Sequence, residues 1–189
     1  MLTLDEERHV YIDDGGRELP SVTTITRFCS VDSKTSAGIN PFYRDRGTLV
    51  HALCADYDYT GAEAEGTGVD GYLRAYYDFC RDYRPTWECV EWTIGGNGYA
   101  GTLDRYGMMD GRPAVLDIKT SSKLNGTALT AQLTGYALMV MRRTGIVPKL
   151  YGLRLGKDGK YQLKEYAPDI GLFRACQTLH ERTSKCQKK

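Results

Sequence analysis

Residues 87–120, WECVEWTIGGNGYAGTLDRYGMMDGRPAVLDIKT, decide the fold because two strong turn signals divide them into three apolar-rich segments. Asn97-Gly98 and Asp110-Gly111 are dipeptides typical of two-residue type I′ hairpin turns. The pattern therefore predicts an antiparallel three-strand meander. Its strands are predicted at Trp87–Ile94, Tyr99–Met109 and Pro113–Thr120.

The two turns also set a register that aligns three acidic residues. A two-residue turn at 97–98 places Glu91 opposite Asp104, and one at 110–111 places Asp104 opposite Asp117. Directly opposed residues have Cβ atoms about 4.5–5.5 Å apart. Because strand side chains alternate between faces, Lys119 is expected on the same face as Asp117. The other face is predicted to be apolar and to pack on the core, with Val90, Trp92, Ile94, Leu103, Leu116 and Ile118.

Such a row of acids needs a compensating positive charge. Two carboxylates at this separation repel each other by about 1–3 kcal/mol at effective dielectric constants of about 80 to 20. A hard divalent cation such as Mg²⁺ takes oxygen ligands and fits this row. Lys119 could then bind a phosphate, help to activate water and stabilise developing negative charge, which suits phosphodiester hydrolysis. A solvated sheet face whose acids are offset by nearby Lys and Arg remains the alternative.

The rest of the chain surrounds this meander with helices and a further pair of strands. A weakly alternating segment at 9–13 predicts a short strand, residues 30–41 predict a loop, and Ser21 is the expected N-cap of a short helix. This order predicts an α+β fold of the restriction-endonuclease-like type, with a central mixed sheet flanked by helices. Further helices are predicted at Phe42–Tyr59, Val69–Tyr83, Gly126–Thr144 and Asp169–Lys185, and strands at Lys149–Leu155 and Tyr161–Tyr166.

Length and composition limit the possible functions. The 189 residues suit one domain, with a helical part at about 20–84, a sheet and helix at about 86–166, and a C-terminal helix at about 169–186. The net charge of +1 means that any nucleic-acid surface must be a local patch. The sequence has no apolar stretch of the roughly 18 residues that a membrane helix needs. Its first residues lack the pattern of a secretory signal, so a cytoplasmic location is expected, in the host if the protein is phage-encoded.

Two segments of the meander carry a family resemblance. Residues 101–104 (GTLD) and 116–121 (LDIKTS) resemble the signature of the PD-(D/E)XK nuclease superfamily, and more narrowly its RecB-like branch. That branch includes phage exonucleases and the mitochondrial genome-maintenance exonuclease type. Three further stretches match in family order, namely LPSVT at 19–23, RGTLVH at 46–51 (G-x-x-x-H) and QLTGY at 132–136 (Q-x-x-x-Y).

The resemblance implies a metal centre in this meander. Asp104 and Asp117 would hold one or two Mg²⁺ or Mn²⁺ ions, with the carbonyl of Ile118 as a further ligand. Glu91 would complete or orient the metal shell. Lys119 would be the catalytic lysine, acting together with the three acids.

The resemblance also gives roles to residues outside the meander. His51 would be a metal ligand, although without the resemblance a structural or surface histidine is the simpler interpretation. Gln132 and Tyr136 lie on one helix face and would position DNA or support the site, but taken alone they indicate a surface amide and a core aromatic. The residues expected to bind DNA or support the site are Arg46, Thr120, Ser121, Gln132 and Tyr136.

The cysteines depart from one variant of the branch. Some members hold an iron–sulfur cluster on one upstream and three clustered C-terminal cysteines. Here Cys29 lies upstream and only Cys176 and Cys186 lie downstream, ten residues apart, so we expect no such cluster.

The leading hypothesis is a divalent-metal-dependent DNA nuclease, an exonuclease in phage-type DNA processing, recombination or repair. Its substrate would be DNA with linear ends, single- or double-stranded, and a phage recombination or replication protein is a possible partner. The oligomeric state is left open. The alternatives are a structure-specific endonuclease on the same core, and a DNA-binding or assembly protein on a degenerate nuclease fold.

Overall fold

The structure is a computed structural model that describes residues 2–5, 10–29 and 41–186. Apart from Pro41, the loop predicted at 30–41 lies outside the described residues. The strands are β1 (Thr3–Asp5), β2 (Val10–Ile12), β3 (Glu18–Leu19), β4 (Thr86–Gly96), β5 (Tyr99–Met109), β6 (Arg112–Lys119), β7 (Lys149–Leu155) and β8 (Tyr161–Tyr166). The helices are α1 (Val22–Thr26), α2 (Pro41–Thr60), α3 (Asp70–Tyr83), α4 (Gly126–Thr144) and α5 (Ile170–Cys186), and one 3-10 turn follows α1 at Arg27–Cys29.

The main sheet has five strands in the order β4-β5-β6-β7-β8. Three neighbouring pairs are antiparallel, and only β6 and β7 run parallel. Helix α4 connects these two, because parallel neighbours need a crossover connection. The prediction of an α+β fold with a central mixed sheet, an antiparallel meander and flanking helices is confirmed.

Helices cover both faces of the sheet. On one face, α1, α4 and α5 enclose a buried cluster that includes Val22, Leu133 and Phe173. On the other face, α2 and α3 enclose a second cluster that includes Val50 and Tyr76. A sheet that is buried on both faces leaves an opening for a polar site only where a strand ends or its pairing is interrupted.

Both predicted turns have the backbone conformation that their dipeptides favour. Asn97 and Gly98 have φ angles of 57° and 81°, and Asp110 and Gly111 have φ angles of 49° and 69°. Positive φ at both central residues defines a type I′ turn. The predicted register is also present, since Trp92 pairs with Leu103 and Arg105 with Leu116.

The alternation of faces departs from the prediction at the acidic row. Cys89 and Trp92 lie in the same apolar cluster although they are three residues apart, and so do Leu103 and Tyr106. Both strands therefore change phase by one residue, at Glu91, whose φ is 49°, and beside Asp104.

This phase change corrects the prediction of one shared apolar face. Trp92, Ile94 and Leu103 pack towards α4, whereas Leu116 and Ile118 pack towards α2 and α3. The physical reason is that a period of two holds only while the strand stays regular, and a left-handed residue resets it.

The N-terminal residues form a separate antiparallel sheet, β1-β2-β3, of which only the middle strand was predicted. Ser21 caps α1 as expected, because its side chain accepts a hydrogen bond from the Thr24 N–H. Ser21 also forms a parallel bridge with Ala100, which ties α1 to β5. In the ranges that the structure covers, no helix has both the length and the apolar character that a bilayer crossing requires.

A bulge in β4 depends on a glycine in the facing strand. Trp87 pairs with Gly107 and Cys89 with Tyr106, so Glu88 is the extra residue. A Cβ on Gly107 would lie 2.2 Å from the Thr86 carbonyl oxygen, which is backbone and cannot rotate away. The bulge therefore requires glycine at this position.

We expect Gly107→Ala to lower the free energy of unfolding by at least about 1–3 kcal/mol, because the added methyl group forces the two strands apart. Gly126→Ala is the matched control, since a Cβ there meets no atom within 4 Å. Urea unfolding of both variants measures the difference. Equal stability of the two variants would contradict this account of the bulge.

Candidate active site

Three predicted metal ligands meet where the phase of the strands changes. His51 on α2, Glu91 on β4 and Asp104 on β5 have ligand atoms that all lie within 4.8 Å of one another. The Nδ1 atom of His51 lies 3.6 Å from Glu91 Oε1 and 3.5 Å from Asp104 Oδ1. The structure thus brings together residues that are far apart in the sequence.

The backbone of Ile118 joins this cluster to β6. Its N–H donates a hydrogen bond to Asp104 Oδ2 at 2.5 Å, and its carbonyl oxygen lies 3.1 Å from His51 Nε2. A protonated imidazole can donate from Nε2 to this carbonyl while its Nδ1–H faces the two carboxylates. The same residue therefore orients both Asp104 and His51.

Asp117 lies beside the cluster with both carboxylate oxygens engaged. Gln132 Nε2 donates to Oδ1 at 2.8 Å, and the Lys119 ammonium lies 2.6 Å from Oδ2. Asp117 is buried, so these contacts replace water. Asp117 and Lys119 share one face of β6, as the alternation predicted, and α4 supplies Gln132.

Mutual proximity shifts the protonation equilibria of these groups. Burial raises the pKa of Asp117 to about 6, with Lys119 opposing the shift and Asp104 adding to it. Burial disfavours the charged form of His51, but Asp104 and Glu91 outweigh it and raise the pKa of His51 to about 9. Burial likewise opposes the charge on Lys119, yet Asp117 and Asp104 raise its pKa. The acids thus hold two cationic side chains beside them.

An unpredicted buried arginine lies beneath the acids. Arg105 is fully buried, and its Nε lies 2.5 Å from Asp58 Oδ2 while Nη1 lies 3.0 Å from Glu91 Oε1. Nη1 also donates to the Asp104 carbonyl oxygen at 2.7 Å. The Tyr76 hydroxyl donates to Asp58, so the carboxylate is hydrogen-bonded as well as paired.

The sequence carries a signal for the buried position of Arg105. Regular alternation from Leu103 would place Arg105 on an apolar face, and a charged residue there is a conflict that needs a buried partner. Asp58 lies seven residues after His51 on α2, which is two helical turns and the same face. Together these positions could have indicated an ion pair.

The residues expected to support DNA binding divide into two groups. At the end of β6, Arg46 Nη2 donates to the Thr120 carbonyl oxygen at 3.1 Å, and the Ser121 hydroxyl donates to the Lys123 carbonyl oxygen at 2.8 Å. Gln132 instead contacts Asp117. Tyr136 is buried between α4 and β5.

Tyr136 fixes α4 against β5. Its hydroxyl donates to the Thr102 carbonyl oxygen at 2.8 Å, and a Cβ on Gly101 would lie 2.8 Å from its ring. The GTLD motif thus supplies both the space for the ring and the acceptor for its hydroxyl, and Tyr136 is buried against the strand that carries Asp104.

The donor set fits a divalent ion. It comprises the carboxylates of Glu91 and Asp104, the imidazole of His51 and the Ile118 carbonyl, with Asp117 adjacent. Carboxylate and carbonyl oxygens suit Mg²⁺ and Mn²⁺, and imidazole favours transition metals. The repulsion among the acids is now offset by the charged forms of His51 and Lys119. A bound ion would offset the same repulsion.

Two cysteines considered for an iron–sulfur cluster lie together in the core. The sulfur atoms of Cys29 and Cys176 are 3.0 Å apart, and both residues are buried. Cys186 is exposed at the end of α5. The expectation that this protein holds no cluster stays a prediction.

We expect Arg105→Ala to destabilise the protein by about 3–5 kcal/mol, because Asp58 then remains buried without its cation. Arg81→Ala is the matched control, since Arg81 pairs with Glu63 and Asp78 on the exposed surface and its loss should cost at most about 1 kcal/mol. Chemical unfolding measures both variants. An Arg105 variant as stable as the control would refute the structural importance of this ion pair.

Comparisons with known proteins give only distant structural similarities. No protein-family model matches the sequence. No curated protein matches it significantly. A candidate exonuclease from Eubacterium rectale is similar in structure with a TM-score of 0.46 and 11% identity, over 74% of this chain and 65% of that one. An alkaline exonuclease from Laribacter hongkongensis gives a TM-score of 0.44 and 11% identity, over 86% of this chain and 84% of that one.

This chain therefore spans about two thirds of the length of the Eubacterium rectale protein.

Proposed function

We propose that this protein is a divalent-metal-dependent DNA nuclease that hydrolyses phosphodiester bonds, with Mg²⁺ or Mn²⁺ as its cofactor. One observation carries the proposal: ligand atoms of His51, Glu91 and Asp104 converge beside the ion pair that buried Asp117 forms with partly exposed Lys119. Placing several carboxylates and a lysine together away from water costs free energy. Hydrolysis of a phosphodiester would use both the carboxylates, as ion ligands, and the lysine, as a positive charge next to the phosphate.

In this proposal, Glu91, Asp104, His51 and the Ile118 carbonyl hold the ion, and Asp117 contributes the carboxylate that Gln132 orients. The ion would supply Lewis-acid activation of water and of the phosphate. The buried Arg105 guanidinium restrains Glu91, because its Nη1 lies 3.0 Å from Glu91 Oε1. These contacts restrain the side chains that would hold the ion.

Lys119 contributes a positive charge next to the reacting phosphate. Asp117 and Asp104 raise its pKa against the effect of burial, so the ammonium is charged at neutral pH. A charged lysine can stabilise the negative charge that develops on phosphate oxygens during hydrolysis. It is suited to this role rather than to that of a general base.

The finer features of the proposal concern substrate and setting. We propose an exonuclease that acts on linear DNA ends in phage-type DNA processing, recombination or repair, with Arg46, Thr120 and Ser121 contacting DNA. Residues 1–189 would form one nuclease domain that works in the cytoplasm. A recombination or replication protein would be its partner.

We expect the wild type to degrade linear DNA in the presence of Mg²⁺ or Mn²⁺, and Lys119→Ala and Asp117→Ala to reduce the rate by at least about a hundredfold. The first variant removes the positive charge next to the phosphate, and the second removes a carboxylate from the proposed ion site. Lys123→Ala is the matched control, as Lys123 is exposed in the following loop. Release of acid-soluble nucleotides from linear and covalently closed circular DNA, single- and double-stranded, measures this.

The substrate panel separates the alternatives. Cleavage of closed circles would identify an endonuclease. If neither linear nor circular DNA is cleaved in the presence of the metal, the nuclease proposal is refuted and a DNA-binding protein is favoured.

We also expect Mg²⁺ or Mn²⁺ to raise the Tm of the wild type, since an ion that binds only the folded state adds about 2.7 kcal/mol at a hundred times its Kd. Asp104→Asn should abolish the shift, because it removes a ligand charge while the amide oxygen can still accept the Ile118 N–H. Asp158→Asn, at an exposed position, is the control. A shift that is equal in both variants would place the ion elsewhere.

A further inference from the structure

A polar pocket of about 520 Å³ lies at the carboxyl ends of β6 and β7, beside the candidate active site. Thr120 and Ser121, which directly follow Lys119, form part of its wall. Its volume is within the range of small-molecule sites in proteins. The side chains that give it its character are Tyr43, Arg46, Tyr72, Ser122, Arg154 and Lys157.

The charged side chains that line this pocket are all positive among the described residues. They are Arg46, Arg154 and Lys157, and no Asp or Glu of the described ranges lines the pocket with them. In the described part of the chain no carboxylate forms an ion pair with any of the three. Three cations without counter-charges attract an anion with several oxygen atoms, such as a phosphate group.

Arg46 and Arg154 are held in position by the strand ends. Arg46 donates to the Thr120 carbonyl oxygen at 3.1 Å, and Arg154 Nε donates to the Ser121 carbonyl oxygen at 3.0 Å. The Nε atom of Arg46 is buried and has no hydrogen-bond partner among the described residues. Each guanidinium therefore retains donors that its protein contacts do not use.

Aromatic rings form the other side of the pocket. The Arg46 guanidinium lies 5.1 Å from the ring centres of both Tyr43 and Tyr72. Tyr43 is 55% exposed, so much of its ring remains accessible to a ligand. An exposed aromatic ring next to arginine is a stacking surface for an unpaired base.

The connection between β7 and β8 is fixed where it carries Lys157. A Cβ on Gly71 of α3 would lie 2.0 Å from the Lys157 carbonyl oxygen, so helix and connection are in direct backbone contact. The backbone of this part of the pocket wall is thus packed against α3, which limits the chain ordering that binding would cost.

The position of the pocket relates it to Lys119. Arg154 is the residue that pairs with Lys119 in the parallel register of β6 and β7. Neighbouring strands lie about 4.8 Å apart, so a nucleic-acid strand with one phosphate at Lys119 has an adjacent phosphate within reach of Arg154.

We propose that this pocket binds the nucleotide next to the cleaved bond: Arg46, Arg154 and Lys157 hold its phosphate, and Tyr43 stacks on its base. The ligand class is a single strand of nucleic acid, because a base can stack on Tyr43 only when it is unpaired. The inference rests on the proposed nuclease function and gives it a second binding site.

The test measures binding without cleavage. A fluorescein-labelled single-stranded oligodeoxynucleotide is titrated with the protein in EDTA, and fluorescence anisotropy gives Kd at several salt concentrations. The variants are Tyr43→Ala and Lys157→Ala. Their matched controls are Tyr59→Ala, at a 72% exposed tyrosine on the same helix, and Lys160→Ala, on the same β7–β8 connection.

We expect Tyr43→Ala to weaken binding by at least about fivefold through lost stacking. Lys157→Ala should reduce the slope of log K against log salt by about 0.7, the value for one phosphate contact on a single strand. Both controls should bind like the wild type. Circular dichroism confirms that each variant is folded.

Three results would overturn the proposal: no binding by the wild type, pocket variants that bind like the wild type, or controls that weaken binding as much as the pocket variants do. The nuclease proposal is judged separately by cleavage in Mg²⁺ or Mn²⁺. A protein that cleaves DNA but binds it independently of Tyr43 and Lys157 fails only the pocket proposal. One that binds DNA through them without cleaving it fails only the nuclease proposal.

Discussion

The hydrogen bond from the Ile118 N–H to the Asp104 carboxylate holds the candidate site open. Backbone pairing between β5 and β6 extends to Arg105 and Leu116 and is not continued at the next pair, Asp104 and Asp117. A buried N–H at this point would cost free energy without an acceptor, and the carboxylate takes the place of a backbone carbonyl. The strands can therefore separate here without leaving the Ile118 N–H unpaired. That separation makes room for His51 and leaves the second oxygen of Asp104 free to face it.

Charge balance is the second constraint on the site. Glu91, Asp104 and Asp117 would repel one another in a sheet that is buried on both faces, and each has a nearby cationic group. Arg105 also neutralises Asp58, so one buried guanidinium serves acids on two elements. Removing either partner of such a buried pair is costly, which couples the stability of the fold to the geometry of the acids. An ion bound by the acids would compete with these internal cations and so release part of the restraint on Lys119.

Much of the fold follows from local patterns in the sequence, and the site follows from them only in part. The two glycine-containing turns determine the register of the meander, and Asn97 and Asp110 have the predicted left-handed conformations. The acids were expected to share one regular row. Alternation contains no information about a strand residue such as Glu91 that turns left-handed, or about a side chain that replaces a backbone acceptor. Arg105 was missed for the same reason, since its burial depends on the phase change and on Asp58 of a distant helix. Only the motif resemblance indicated His51 and Gln132, because their proximity to the acids depends on helix packing.

The acidic site and the basic pocket have opposite electrostatic effects on a nucleic-acid strand, although the whole chain has a net charge of only +1. Without an ion, the carboxylates repel a phosphate, and Lys119 is already occupied by Asp117 at 2.6 Å. The strand would therefore be attracted by cations that form no ion pair with these acids. Arg46, Arg154 and Lys157 are such cations. Under the proposed function, binding by these groups would not require the ion, whereas chemistry at the acids would. The segregation of charge along the end of β6 would then separate capture of the strand, which depends on salt, from its hydrolysis, which depends on the divalent ion.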